Sequence, residues 1–154
     1  MGHSRSWWAA ATLAIAMLVV PFMRTSAREL TLEELKGRVE NAGIAERPPL
    51  CIEISERQLD AADRLYIAGD SDNAQAALVD VAAFSELARD YAIRSHKHEK
   101  QSEIAIRKMA RKLANLKHSV THEEQPPIQQ AIDRLERVRD DLLAAMFPNG
   151  VKKR

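Results

Sequence analysis

Cysteine is the chain's first scarcity: Cys51 is the single one in 154 residues, so no internal disulfide forms and the fold rests on packing. Aromatic residues make up only 5%, and both tryptophans, Trp7 and Trp8, lie in an N-terminal stretch with the layout of a removed leader. That leaves Tyr66, Phe84, Tyr91 and Phe147 beyond it, too few to stack bases, and there is no overall basicity to draw in phosphate. Nucleic acid is excluded as a partner on these grounds. There is no glycine-rich loop to cradle a phosphate. The serines that might act as nucleophiles, Ser55, Ser71, Ser85, Ser95, Ser102 and Ser119, fall on or at the ends of expected helices rather than on the strained turn a nucleophile needs. Carboxylate pairs such as Asp60 with Asp63, or Glu123 with Glu124, lack the apolar surroundings that tune one of them as an acid. The sequence therefore points away from an enzyme and calls for no cofactor.

What is present begins with the first 27 residues. Met1 to Ser6 carries Arg5, Trp7 to Val20 is an apolar run, and Thr25-Ser26-Ala27 supplies small residues at a cleavage point. This is the pattern of a secretory signal peptide. The run is about 14 residues, short of the roughly 20 that cross a bilayer as a helix, and Pro21 ends it. Export to the periplasm or beyond, followed by cleavage, is the expectation, with membrane contact only through the leader. Cleavage after Ala27 would leave 127 of 154 residues, one domain spanning 28–147 with a disordered basic tail at 148–154. Removing Arg5 and Arg24 turns 23 basic and 22 acidic residues into 21 and 22, a net charge of −1.

Helical periodicity accounts for the rest, and the fold class is all-α. Thr31 with Glu34 has capping-box spacing and opens a short helix over about 31–42, with Leu32, Leu35 and Val39 as its stripe. Pro48-Pro49 opens a second helix over about 48–68, in which Ile52, Ser55, Leu59, Ala62 and Tyr66 share a face. Gly69-Asp70 ends it, and Ser71 or Asp72 is a reasonable cap for the next. Pro126-Pro127 opens the last helix, over about 125–147, striped by Ile128, Ala131, Leu135, Val138 and Leu142.

Between Ser71 and Gln125 there is neither glycine nor proline. Leu78, Val81, Ser85, Ala88 and Ala92 run in one seven-residue register through Ser95, Glu99 and Ser102 to Ile106, Met109, Leu113 and Leu116. The pattern predicts one long central helix over about 71–120, about 75 Å in length, carrying an antiparallel hairpin or bundle. A break within residues 95–101 is the alternative. On a rod of that length, two flanking helices leave part of the ridge uncovered, so a protein partner is expected, a second copy among the candidates. Leu78, Val81, Ile106, Met109, Leu113 and Leu116 would form the interaction seam.

Tyr66-Ile67-Ala68-Gly69-Asp70 followed by Ala74 resembles the turn of a tetratricopeptide helical hairpin, in a single copy, beside the plainer reading of a generic αα-hairpin. Through Arg47-Pro48-Pro49-Leu50-Cys51-Ile52-Glu53, Arg107-Lys108-Met109 and Glu124-Gln125-Pro126-Pro127, the chain also resembles uncharacterised secreted α-helical proteins of soil bacteria such as acidobacteria. That resemblance implies no activity.

Four of the five histidines lie between residues 96 and 122. His118 and His122, four apart, would share a helix face and are the candidate metal ligands, with Glu123 nearby. His96 and His98, two apart, would not. Cys51 is either a small buried residue or a thiol activated near a helix start. Arg94, Lys97, Lys100, Arg107, Lys108, Arg111, Lys112 and Lys117 form a positive flank, read as solvated surface or as a face for anionic lipid, wall polymer or acidic protein. The expected function is a non-enzymatic, exported helical scaffold or protein-interaction protein of the cell envelope. The alternative is a periplasmic metal or small-ligand carrier using the His96–His122 segment.

Overall fold

Local signals set the helix ends. The computed structural model describes residues 30–148; the leader-like segment 1–27 and the basic tail from residue 149 lie outside the described residues. The elements are α1 (Leu32–Asn41), α2 (Arg47–Ile67), α3 (Ser71–Ser95), α4 (Glu99–Ser119), a single 3₁₀ turn (His122–Glu124) and α5 (Gln125–Met146). The fold is all-α. Thr31 closes the expected capping box, accepting from the Glu34 amide at 3.2 Å while Glu34 accepts from its own amide at 2.7 Å. Proline occupies the first turn of both α2 and α5, where its missing N–H costs nothing. Gly69 takes the left-handed conformation, φ 78°, that ends α2, and the Asp70 amide reaches back to the Leu65 carbonyl at 2.9 Å. Asp70 itself, rather than Ser71 or Asp72, caps α3.

The single helix over 71–120 does not form. The chain turns back at His96-Lys97-His98, where both histidines have left-handed backbone, φ 53° and 63°. The Lys97 amide closes α3 on the Ala92 carbonyl at 3.2 Å, and the His98 carbonyl starts α4 by accepting from Ser102 at 2.8 Å. Left-handed backbone costs a non-glycine residue roughly 1–2 kcal/mol, so the reversal needs a larger return. Burial provides it. Ile106, Met109, Leu113 and Leu116 all become buried, and each large apolar side chain contributes about 1.5–3 kcal/mol when fully removed from water. The in-phase register did not distinguish the two outcomes, because a stripe facing inward on each of two helices has the same spacing as one ridge on a rod.

Two antiparallel hairpins result, α2 with α3 and α4 with α5. The Ser55 hydroxyl donates to the Val81 carbonyl and accepts from Ser85, both at 3.2 Å, tying α2 to α3 through small buried residues that let the helices approach closely. Arg139 donates to Glu103 at 2.9 Å, and Lys117 to Gln129 at 2.7 Å, across α4 and α5. The hairpins lie side by side with like helices parallel. Along α3 and α5 the partners ascend together, Ser71 with Glu124, Glu86 with Arg134 at 2.8 Å and Arg89 with Asp141 at 2.8 Å. Lys112 likewise joins α4 to Asp60 on α2.

One apolar core fills the space between the hairpins, with Leu59, Tyr66, Leu78, Val81, Ile106, Leu113, Ile128, Leu135 and Leu142 buried together. A second, smaller core holds α1 outside the first hairpin, through Leu35 and Val39 against Cys51, Ile54 and Ala88. Arg47 caps the C-terminal end of α1, its guanidinium donating to the Ala42 carbonyl at 3.0 Å, and its face lies over the Tyr91 ring.

The Tyr66 hydroxyl is buried without a hydrogen-bond partner among the described residues. Because an unmet buried donor costs free energy, Tyr66→Phe is expected to leave stability unchanged or raise it by up to about 1 kcal/mol. Leu113→Ala, at a fully buried site, is expected to cost about 2–5 kcal/mol. Urea denaturation followed by circular dichroism separates the two effects.

Candidate interaction face

The expected seam lies inside the protein. Leu78, Val81, Ile106, Met109, Leu113 and Leu116 are at most 5% exposed, all within the main core. The chain's own two hairpins seal the ridge, so these residues offer no surface to a second molecule in this form. Substituting them tests folding rather than association.

The histidines are dispersed. α4 ends at Ser119 and Val120 is extended, so His118 on the helix and His122 in the 3₁₀ turn do not share one helical face as their spacing of four suggested. Among the described residues, no three His, Cys, Asp or Glu side chains gather as metal ligands would. His96 and His98 are exposed at the interhelix turn, with His96 Nδ1 at 3.7 Å from the Glu99 carboxylate.

Cys51 lies in the first turns of α2, yet it is fully buried between α1 and α2. Burial pushes its thiol up to about 11, and the positive charge of Arg47 only partly opposes this. It is the small core residue rather than the activated thiol.

Two features were missed in the sequence although their signals were there. Thr121 with Glu124 repeats the spacing of Thr31 with Glu34, and it closes a second capping box just before α5. Glu124 also accepts from Ser71 at the start of α3, and the hydrogen bonds from Ser71 and Thr121 hold its carboxyl below the usual range. The second is Glu103, beside the register position Ser102 on α4, buried to 7% exposure and paired with Arg139 at 2.9 Å and Arg107 at 3.8 Å. An acid on the inward side of a helix, three residues before Ile106, was the available sign.

These inward-turned acids shape the outside of α4. Its two carboxylates, Glu99 and Glu103, have side chains only 19% and 9% exposed. Its exposed residues include Lys100, Lys108, Arg111, Lys112 and Ile104, with no acid among them. Residues 100, 104, 108 and 111 recur at three and four, so they line one stripe. Lys112 is drawn sideways to Asp60. The acids of α2, Glu56 and Asp60, face the same side from across an open cleft lined by Leu59, Lys108, Met109 and Lys112. The outer face of α4 is thus a cationic strip with one exposed isoleucine at its middle, Ile104 at 45%. Among the described residues no helix is long and apolar enough to cross a membrane.

Compared with family models, curated proteins and solved structures, the chain matches none. The geometry alone carries the functional reading.

Because the folded-state pKa of Cys51 lies above that of an unfolded thiol, the fold holds its proton after the unfolded chain has released it. The sign is a loss of stability as pH rises from about 9 to about 11, on the order of 2 kcal/mol. Denaturant melts of the native chain and of Cys51→Ala across that range check this. The wild type should lose more stability with rising pH than the variant, and its thiol should react with a disulfide reagent only as the chain unfolds.

Proposed function

We propose that this chain is a non-enzymatic binding protein of the cell envelope, exported by its N-terminal segment, that docks through the outer face of α4 on an anionic, phosphate-bearing surface. The observation that supports this is the sorting of charge on α4, with Lys100, Lys108, Arg111 and Lys112 outside and Glu99 and Glu103 turned in. On a solvated helix without such a role, acids and bases alternate on the exposed face and neutralise one another. Here they are segregated. Net charge near zero over the whole chain leaves the attraction to this strip rather than to the overall charge of the molecule. Ile104 adds an apolar contact at the centre of the strip, where a bilayer interface would accept it.

A Lys or Arg near an anionic bilayer contributes about 1 kcal/mol, so the strip supports weak, salt-sensitive docking rather than insertion. Residues 28–154 should co-sediment with vesicles of phosphatidylcholine and phosphatidylglycerol at low salt, and be released at high salt. Lys108→Glu with Arg111→Glu should weaken this by more than about tenfold while the helical circular dichroism stays unchanged. Equal binding to neutral phosphatidylcholine vesicles, or no effect of the charge reversal, would overturn the reading.

A further inference from the structure

The three-residue turn between the hairpins carries backbone strain. His96 and His98 are its two non-glycine residues with positive φ, a conformation that glycine adopts freely and histidine does not. Around it the sequence favours a different shape. Residues 71–125 contain no helix breaker, and the apolar register of α3 passes into that of α4 in phase, through Ser95, Glu99 and Ser102. A straightened α3 and α4 would therefore carry a single continuous stripe, which one chain alone cannot cover.

The bonds divide in the same way. Ser55 with Val81 and Gln58 with Asp80 lie within the first hairpin, and Glu103 with Arg139 and Lys117 with Gln129 lie within the second. Between the hairpins run Asp60 with Lys112, Ser71 with Glu124, Glu86 with Arg134 and Arg89 with Asp141. Each hairpin is held by its own bonds, and the bonds between them can be remade by an identical hairpin from another chain.

We propose that this protein forms a hairpin-swapped homodimer in which His96-Lys97-His98 becomes helical. Residues 71–119 then run as one helix of about 75 Å, and the α4–α5 hairpin of each chain packs on the α2–α3 hairpin of its partner. The occupant is a second copy because the surfaces exposed on opening are those already matched in the closed chain, residue for residue. Opening also releases four left-handed histidines per dimer, so the exchange gains at the hinge what the closed form gives up there. This inference stands independently of the docking role of α4.

Two measurements test it. The full-length mature chain, residues 28–154, is unfolded and refolded at low and high concentration, and its mass is read by sedimentation equilibrium. A dimer should appear at high concentration. His96→Gly with His98→Gly favours the turn and disfavours the continuous helix, and should raise the dimer dissociation constant by more than about a hundredfold. His96→Ala with His98→Ala should lower it by about tenfold. Two further single variants, Glu86→Arg and Arg134→Glu, place like charges between α3 and α5 in their own closed chains. Refolded together, they restore opposite charges at both contacts only if hairpins are exchanged, so native mass spectrometry should find the heterodimer well above the two homodimers. A wild type that stays monomeric at every concentration would overturn the proposal, as would a dimer indifferent to the glycine substitutions or a heterodimer at only its statistical share.

Discussion

The reversal at residues 96–98 governs the molecule, because a single stripe of 39 residues, from Leu78 to Leu116, has to be covered by something. In the closed chain the stripe is cut in two and the halves are turned inward around one core. The cost is concentrated in two histidines with left-handed backbone, while the return is spread over the buried side chains of four helices. A few kcal/mol of local strain is set against several buried leucines and isoleucines worth about 1.5–3 kcal/mol each. The balance favours closure, by a margin that depends on both hairpins being present.

Much of this was legible in the residues. Helix ends carry chemistry that acts locally: Thr31 with Glu34, the paired prolines at 48–49 and 126–127, and Gly69 each mark a boundary, and the structure puts α1, α2 and α5 within a residue or two of where those signals lie. The turn at 96–98 carries no such chemistry. It has no glycine, no proline and no asparagine, and its neighbours in the register are Ser95, Glu99 and Ser102, polar residues that neither demand burial nor forbid helix. What bends the chain there is the gain from packing α4 and α5 against α2 and α3. That is a property of the whole, which a periodicity read along one segment does not contain.

The candidate face was legible only in part. The basic residues of 94–117 were visible as a cluster, but whether they were exposed and unopposed depended on where Glu99 and Glu103 pointed. Glu103 is buried because it flanks the inward register between Ser102 and Ile106, on the side where α5 packs, and its charge is met by Arg139 from α5 and Arg107 from its own helix. Burying an acid in this way is tolerable only with such partners. Its consequence for the surface is that the exposed side of α4 carries no acid of its own, and only Lys112 among its exposed cations is met from α2, by Asp60. The histidine pair failed for the opposite reason. A spacing of four means a shared face only inside a continuous helix, and Val120 interrupts it.

The proposed surface role is consistent with how the interior is built. Its buried polar side chains hold helices together, Ser55 and Ser85 in the first hairpin and Glu103 in the second, while the half-exposed Glu86 and Glu124 bridge the two. Cys51 is sealed and protonated, and the Tyr66 hydroxyl is enclosed where no substrate reaches it. The exposed side of α4, where Lys100, Lys108 and Arg111 stand with no acid from their own helix beside them, is the part that suits the proposed recognition of an oppositely charged surface.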